Sequence, residues 1–213
     1  MAFDLAGGSF DAILFDCDGT LVDTAPVHLQ GLQDALAAEG LSMAAEWYYP
    51  RVGLTPDKLF DEYESQIATL PITRAELVAA YTRSFQSNLA RVQEIAVVAD
   101  VARAWHGKVP MCVCSNGEKP NVEASLGSAG LTSLFDFILT AAEVGAGKPE
   151  PDLFLAAAHR MQVTPERCVV FEDSDEGLEA ARRAGMRGID IRKTHHPAWM
   201  NSPSTSNPPN MAE

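Results

Sequence analysis

The chain has 213 residues, 46 % of them apolar, enough for one well-buried core with a small inserted unit or for two small domains at most. Its 16 Lys and Arg stand against 29 Asp and Glu, a net charge of −13, which opposes attraction to nucleic acid or to an anionic membrane surface. No basic segment precedes an apolar one at Met1-Ala2-Phe3-Asp4, and no apolar run nears the roughly 20 residues that span a bilayer. A soluble cytoplasmic monomer is the expectation.

In chain order, β-rich runs fall at Ala12 to Phe15, Val109 to Cys114, Phe137 to Thr140, Cys168 to Phe171 and Gly188 to Ile191, alternating in the second half with helical patterns, as a parallel sheet requires. Helices are predicted over Pro120 to Ala129, Pro151 to Met161 and Glu176 to Ala184, the first and last stopped by Gly130 and Gly185. More than 80 residues separate the first two strands, too many for an ordinary crossover, and their periodicity is helical. The first inserted helix starts near Ala25-Pro26, carries Leu29, Leu32 and Leu36 on one face and stops at Gly40. Thr55 reads as an N-cap before Pro56, and Thr73-Arg74-Ala75-Glu76 as a capping box. These boundaries predict a core of 1–23 and 95–194, a helical insert of 24–94, and a disordered tail over 195–213 rich in Pro, Ser and Asn. Cys17, Cys112, Cys114 and Cys168 lie in or beside apolar segments and read as small buried hydrophobes.

Chemistry gathers at the strand ends. Asp16 and Asp18 directly follow the first strand, Ser115-Asn116-Gly117 closes the second, Lys148 precedes Pro149 after the third, and Glu172-Asp173-Ser174 closes the fourth. Ligands of a parallel α/β sheet sit outside these carboxyl ends. An aspartate attacks a phosphate dianion poorly unless positive charge offsets the repulsion; at about 4 Å and an effective dielectric near 20, each unit pair is worth about 4 kcal/mol.

The four segments Asp16-x-Asp18-Gly19-Thr20, Ser115-Asn116-Gly117, Lys148-Pro149 and Glu172-Asp173-Ser174-x-x-Gly177, in this order and spanning nearly the whole chain, resemble the motifs of the haloacid dehalogenase superfamily. The branch most similar is that of β-phosphoglucomutase and the sugar-phosphate phosphatases. The resemblance implies an α/β fold with a Rossmann-like parallel core and an α-helical cap domain. It implies that Asp16 is the nucleophile of an aspartyl-phosphate intermediate and Asp18 the general acid and base. It further implies that Ser115 and the backbone N–H groups around Asn116 and Gly117 bind the phosphoryl oxygens, that Lys148 offsets the charge, and that Mg²⁺ is held by the Asp16 carboxylate, the Asp18 backbone carbonyl and Asp173, with Glu172 close by or in its shell. The implied substrate is a small phosphorylated metabolite.

Plainer readings stand beside these. Ser115 can serve only as a helix cap, Lys148 as a surface lysine, Glu172 and Asp173 as caps of the next helix, and Asp175 as a solvated residue. Asp23 and Thr24 read as a hinge and a cap. His28, twelve residues after Asp16, matches a mutase-like histidine near the acid/base aspartate and is a candidate substrate contact; otherwise it is an exposed helix histidine. Pro56 follows Gly53-Leu54-Thr55 where a mutase would carry an arginine, which favours hydrolysis, although Arg51 keeps the mutase alternative open. Trp47, Tyr48 and Tyr49 line a sugar site or simply pack. Asp18 argues against a dehalogenase, and a receiver-type phosphoacceptor would lack the helical insert.

Overall fold

A computed structural model describes Phe3, residues 9–54, residues 56–197 and Trp199. The chain forms β1 (Ala12–Phe15), β2 (Val22–Asp23), α1 (Ala25–Ala37), α2 (Ala45–Tyr48), α3 (Pro56–Gln66), α4 (Arg74–Ser87), β3 (Gln93–Glu94) and α5 (Ala96–Trp105). It continues through β4 (Met111–Ser115), α6 (Lys119–Ser128), β5 (Phe137–Thr140), α7 (Ala141–Val144), α8 (Asp152–Met161), β6 (Cys168–Glu172), α9 (Asp175–Arg183) and β7 (Arg187–Asp190). Five strands make one parallel sheet in the order β5-β4-β1-β6-β7. The fold is α/β, as the alternation predicts.

Alternation of side chains along each strand divides the core into two layers. Ile13, Phe15, Val113, Val169 and Phe171 face α5 and α6 through Val98, Ala102, Val122 and Leu126. Ala12, Leu14, Cys112, Cys114 and Val170 face α8 and α9 through Leu153, Phe154, Ala157 and Ala181. All four cysteines are buried free thiols, and three of them belong to the second layer. Because both faces are covered, the first polar residues past the strands fall on the open carboxyl edge.

Helices α1 to α4 build a separate apolar cluster from Leu29, Leu32, Leu36, Tyr48, Phe60, Tyr63 and Leu77. The chain enters and leaves this unit through a short antiparallel ribbon, Val22 opposite Glu94 and Asp23 opposite Gln93, where we place the division at 24 and 94. Helix α4 opens with the anticipated capping box, the Glu76 amide donating to the Thr73 hydroxyl and the Thr73 amide to the Glu76 carboxylate. Thr55 lies outside the described residues. Thr24 departs from expectation: its side chain does not cap α1, and its hydroxyl donates to Asp18 Oδ1 at 2.8 Å.

Of the 195–213 tail, residues 195–197 and Trp199 are described. The Trp199 indole N–H donates to Asp23 Oδ1 at 3.1 Å, and its ring stacks on Tyr49 at 4.8 Å. An aromatic with a polar handle can bury its ring and satisfy its donor together. Residues 198 and 200–213 lie outside the described residues.

Candidate active site

The central strand β1 delivers Asp16 to the sheet edge, where its amide donates to the Phe171 carbonyl at 3.0 Å and its side chain is buried. The next residues turn tightly: the Thr20, Leu21 and Val22 amides all donate to the Cys17 carbonyl. At the apex Gly19 has φ +87°, and a Cβ there would overlap the Asp173 carboxylate. Thr20 donates its hydroxyl to Asp173 Oδ1 at 2.8 Å. The Gly19-Thr20 pair is therefore the seat on which the last motif's aspartate rests, a relation invisible in either motif alone.

Lys148 lies between two carboxylates, its Nζ 2.5 Å from both Asp16 Oδ1 and Glu172 Oε1. With 9 % of its surface exposed it is not a surface lysine. Asn116 holds the Lys148 backbone from both sides, accepting from its amide at 2.9 Å and donating to its carbonyl at 3.2 Å. A side chain at Gly147 would come within 2.7 Å of Asn116 Oδ1. The Asn116 side chain thus fixes the lysine. The Lys148–Pro149 peptide is cis.

Glu172 is fully buried and spends both oxygens within the protein. Oε1 accepts from Lys148, while Oε2 accepts from the Asp173 amide, the Ser174 amide and the Ser174 hydroxyl, each at 2.9 Å. Gly177 makes room for it, since a Cβ there would overlap this anchored carboxyl. Ser115 is buried beside Gly117, whose amide donates to the Ser115 hydroxyl at 2.9 Å. A Cβ on Gly117 would lie 3.4 Å from Asp18 Oδ2, so the second motif sits against the first. Asp175 is exposed and paired with Arg192, away from this cluster.

Four carboxylates thus gather near one ammonium that bonds only Asp16 and Glu172. Burial pushes the Asp16 carboxyl well above the ordinary range, against the pull of Lys148 and with the push of Glu172 and Asp173. Burial and the Glu172 charge push Asp173 up to about 7, despite the Thr20 hydrogen bond. For Lys148 burial works against the charge, but Asp16 and Glu172 outweigh it and hold the ammonium above the usual lysine range. Asp18 behaves differently: burial would raise it, yet His28 and the Thr24 hydroxyl bring it below the usual value.

Such an excess of buried negative charge fits a divalent cation. Among the described residues, Asp16, Glu172 and Asp173 each offer an oxygen within 4.8 Å of the others. Of the three, Glu172 already spends both oxygens on protein donors. The Asp18 carboxylate lies outside this group and is held by Thr24, with His28 Nε2 3.9 Å away.

Above the edge, His28 of α1 stacks on Phe85 at 4.4 Å, and its Nδ1 is hydrogen-bonded to the Tyr81 hydroxyl of α4. It is half-buried, its side chain 25 % exposed. Trp47 packs edge-on to Tyr63 at 5.7 Å and donates to Gln66, so it belongs to the packing of that unit. Arg51 stacks over Trp47 at 4.1 Å and bonds Glu62, Gln66 and the Trp47 carbonyl.

This fold and edge cluster are those of the haloacid dehalogenase-like hydrolases. The pattern of that family matches residues 10–185, and the chain belongs to it as an enzyme of the hydrolase class. Fructose-1-phosphate phosphatase YqaB of Escherichia coli (strain K12) is 35 % identical over 183 residues, 86 % of this chain and 97 % of that protein. The 6-phosphogluconate phosphatase of the same organism is 30 % identical over 181 residues, 83 % of this chain and 80 % of that one. The crystal structure of CbbY from Rhodobacter sphaeroides in complex with phosphate superposes with a TM-score of 0.73 at 30 % identity, covering 84 % of each chain.

Proposed function

We propose that this hydrolase is a divalent-metal-dependent phosphatase of small phosphorylated metabolites, sugar phosphates above all, acting through an aspartyl phosphate on Asp16. The observation that carries the reading is the clamped Lys148 between Asp16 and Glu172, beside an Asp173 locked onto the Asp16 loop. Two relatives named as sugar-phosphate or sugar-acid-phosphate phosphatases support the substrate class.

Asp16 and Asp173 would hold Mg²⁺ or a similar ion, which supplies positive charge against the phosphate. In the first step an Asp16 oxygen bonds to phosphorus as the bond from phosphorus to the substrate oxygen breaks, and Asp18 gives that oxygen its proton. In the second step Asp18, now a carboxylate, takes a proton from water, whose oxygen bonds to phosphorus as the Asp16 ester breaks. In the free protein His28 and the Thr24 hydroxyl favour the Asp18 carboxylate, so Asp18 takes a proton from solvent as the phosphate dianion arrives, whose like charge favours the protonated form. Lys148 holds one Asp16 oxygen and leaves the other for attack; Ser115 and the amides beside it are preorganised donors for the transferring oxygens.

The engagement of Arg51 favours hydrolysis over mutase chemistry, because three of its five N–H groups are already given to Glu62, Gln66 and the Trp47 carbonyl. A mutase needs a free cation there to hold a second phosphate. The test is phosphate release from hexose, pentose, sugar-acid and nucleotide monophosphates, with Mg²⁺ and with chelator, in the wild type and Asp16→Asn. Metal-dependent turnover lost in the variant is expected; undiminished turnover in Asp16→Asn refutes the nucleophile.

A further inference from the structure

The hydroxyl of Tyr81 sits 53 positions along the chain from the histidine it binds, and nothing in the motifs points to it. Helices α1 and α4 come together at Gly31, where a Cβ would lie 3.1 Å from the Tyr81 ring and 3.3 Å from the Tyr81 carbonyl and the Phe85 amide. The absence of a side chain lets the α4 backbone lie directly on α1. One turn back along α1, His28 is thereby sandwiched: its face on Phe85, its Nδ1 on the Tyr81 hydroxyl, and its Nε2 toward Asp18 Oδ1 at 3.9 Å. That last separation is long for a hydrogen bond, as is common before substrate tightens an active site.

A neutral imidazole carries one N–H, and the partner of one nitrogen decides which nitrogen keeps it. If Nδ1 carried the proton, the Nε2 lone pair would face the Asp18 carboxylate. If Nδ1 accepts from the Tyr81 hydroxyl, Nε2–H faces it instead. Only the second arrangement places a donor against the anion. Burial and the nearby Asp18 charge keep the Tyr81 hydroxyl protonated and able to donate.

We propose that Tyr81 is a positioning residue: by donating to His28 Nδ1 it fixes the Nε2–H tautomer and aims that proton at the acid/base carboxylate of Asp18. The proposal rests on the phosphatase reading for its catalytic consequence and on geometry alone for the tautomer. Tyr81 does not touch the reacting atoms; it acts through His28, and the ring of His28 is kept from rotating by Phe85 on its face.

Tyr81→Phe keeps the ring and removes only the hydroxyl. It is expected to lower kcat about tenfold, the scale of one lost hydrogen bond at the barrier, and to leave KM within about twofold. A double-mutant cycle with His28→Phe, which keeps the stack on Phe85, gives the second readout: in that background Tyr81→Phe should cost under about twofold, since coupled residues are non-additive. Nitrogen-15 NMR of the metal-free protein at a pH where His28 is neutral should show Nε2–H in the wild type and a tautomer mixture in Tyr81→Phe. A wild-type His28 protonated on Nδ1 overturns the proposal, as does a kcat loss that persists undiminished in the His28→Phe background. Absence of turnover by the wild type on every phosphomonoester would overturn the phosphatase reading instead, and the NMR result would still decide the tautomer.

Discussion

Replacing Lys148 with Met removes one charge from the centre of the site while keeping a side chain of similar length. The Lys148 side chain is 3 % exposed, those of Glu172 and Asp16 are 1 % and 12 % exposed, and both contacts are 2.5 Å. At an effective dielectric near 20, each contact represents about 7 kcal/mol of attraction, opposed by several kcal/mol of desolvation for each ion. The net loss on breaking such a buried cluster from one side is about 3–5 kcal/mol. The deficit must depend on pH in a definite direction. Asp16 and Asp173 have folded values above their unfolded ones, and without the ammonium these rise further. A carboxyl raised by folding contributes stability that is present below its unfolded value near 3.8 and lost as pH climbs through the folded value. Urea unfolding in chelator, followed by circular dichroism, should therefore show a smaller penalty for Lys148→Met at pH 5 than at pH 8. A deficit below about 1 kcal/mol at pH 8, or one equal at both pH values, would refute the assignment of Lys148 as the buried counter-charge.

Two further outcomes follow from the same cluster. Gly19→Ala places a methyl where the Asp173 carboxylate lies, at φ +87°; it should cost about 1–3 kcal/mol in strain and abolish metal-dependent turnover, and a thermal melt and activity assay matching the wild type would contradict the seat described for Asp173. Because Asp173 is pushed up to about 7, a divalent cation must displace its proton below that pH. Calorimetric titration with Mg²⁺ should show affinity falling about tenfold per pH unit for each proton displaced as pH drops below 7, with proton release into the buffer; affinity independent of pH between 5 and 7 would argue against coordination by Asp173.

Much of this architecture was legible in the residues because parallel strands buried on both faces must be apolar, so the first polar residue after each run marks the sheet edge. That logic located Asp16, Ser115 and Glu172-Asp173 within a residue of where β1, β4 and β6 end. The helix α5 was not among the predicted elements, although its buried residues Val98, Ala99, Val101 and Ala102 recur at helical spacing. Trp199 escaped because composition averages over a polar tail, whereas one aromatic finding Asp23 and Tyr49 is a matter of what lies opposite.

The division of labour inside the site has the same origin. Residue types and their order specified which groups reach the edge, since local chain direction and strand periodicity suffice for that. Whether Asn116 meets a phosphate or the Lys148 backbone, whether Glu172 has an oxygen left for a metal, and whether Arg51 is available to a ligand all depend on loops from distant parts of the chain. A hydrogen-bonding group has a fixed, small capacity. The sequence by itself determined the set of groups at the carboxyl edge, and only the tertiary structure decided how that capacity is spent, because the competing partners come within reach of one another only when the sheet, the helical unit and their connecting ribbon are assembled.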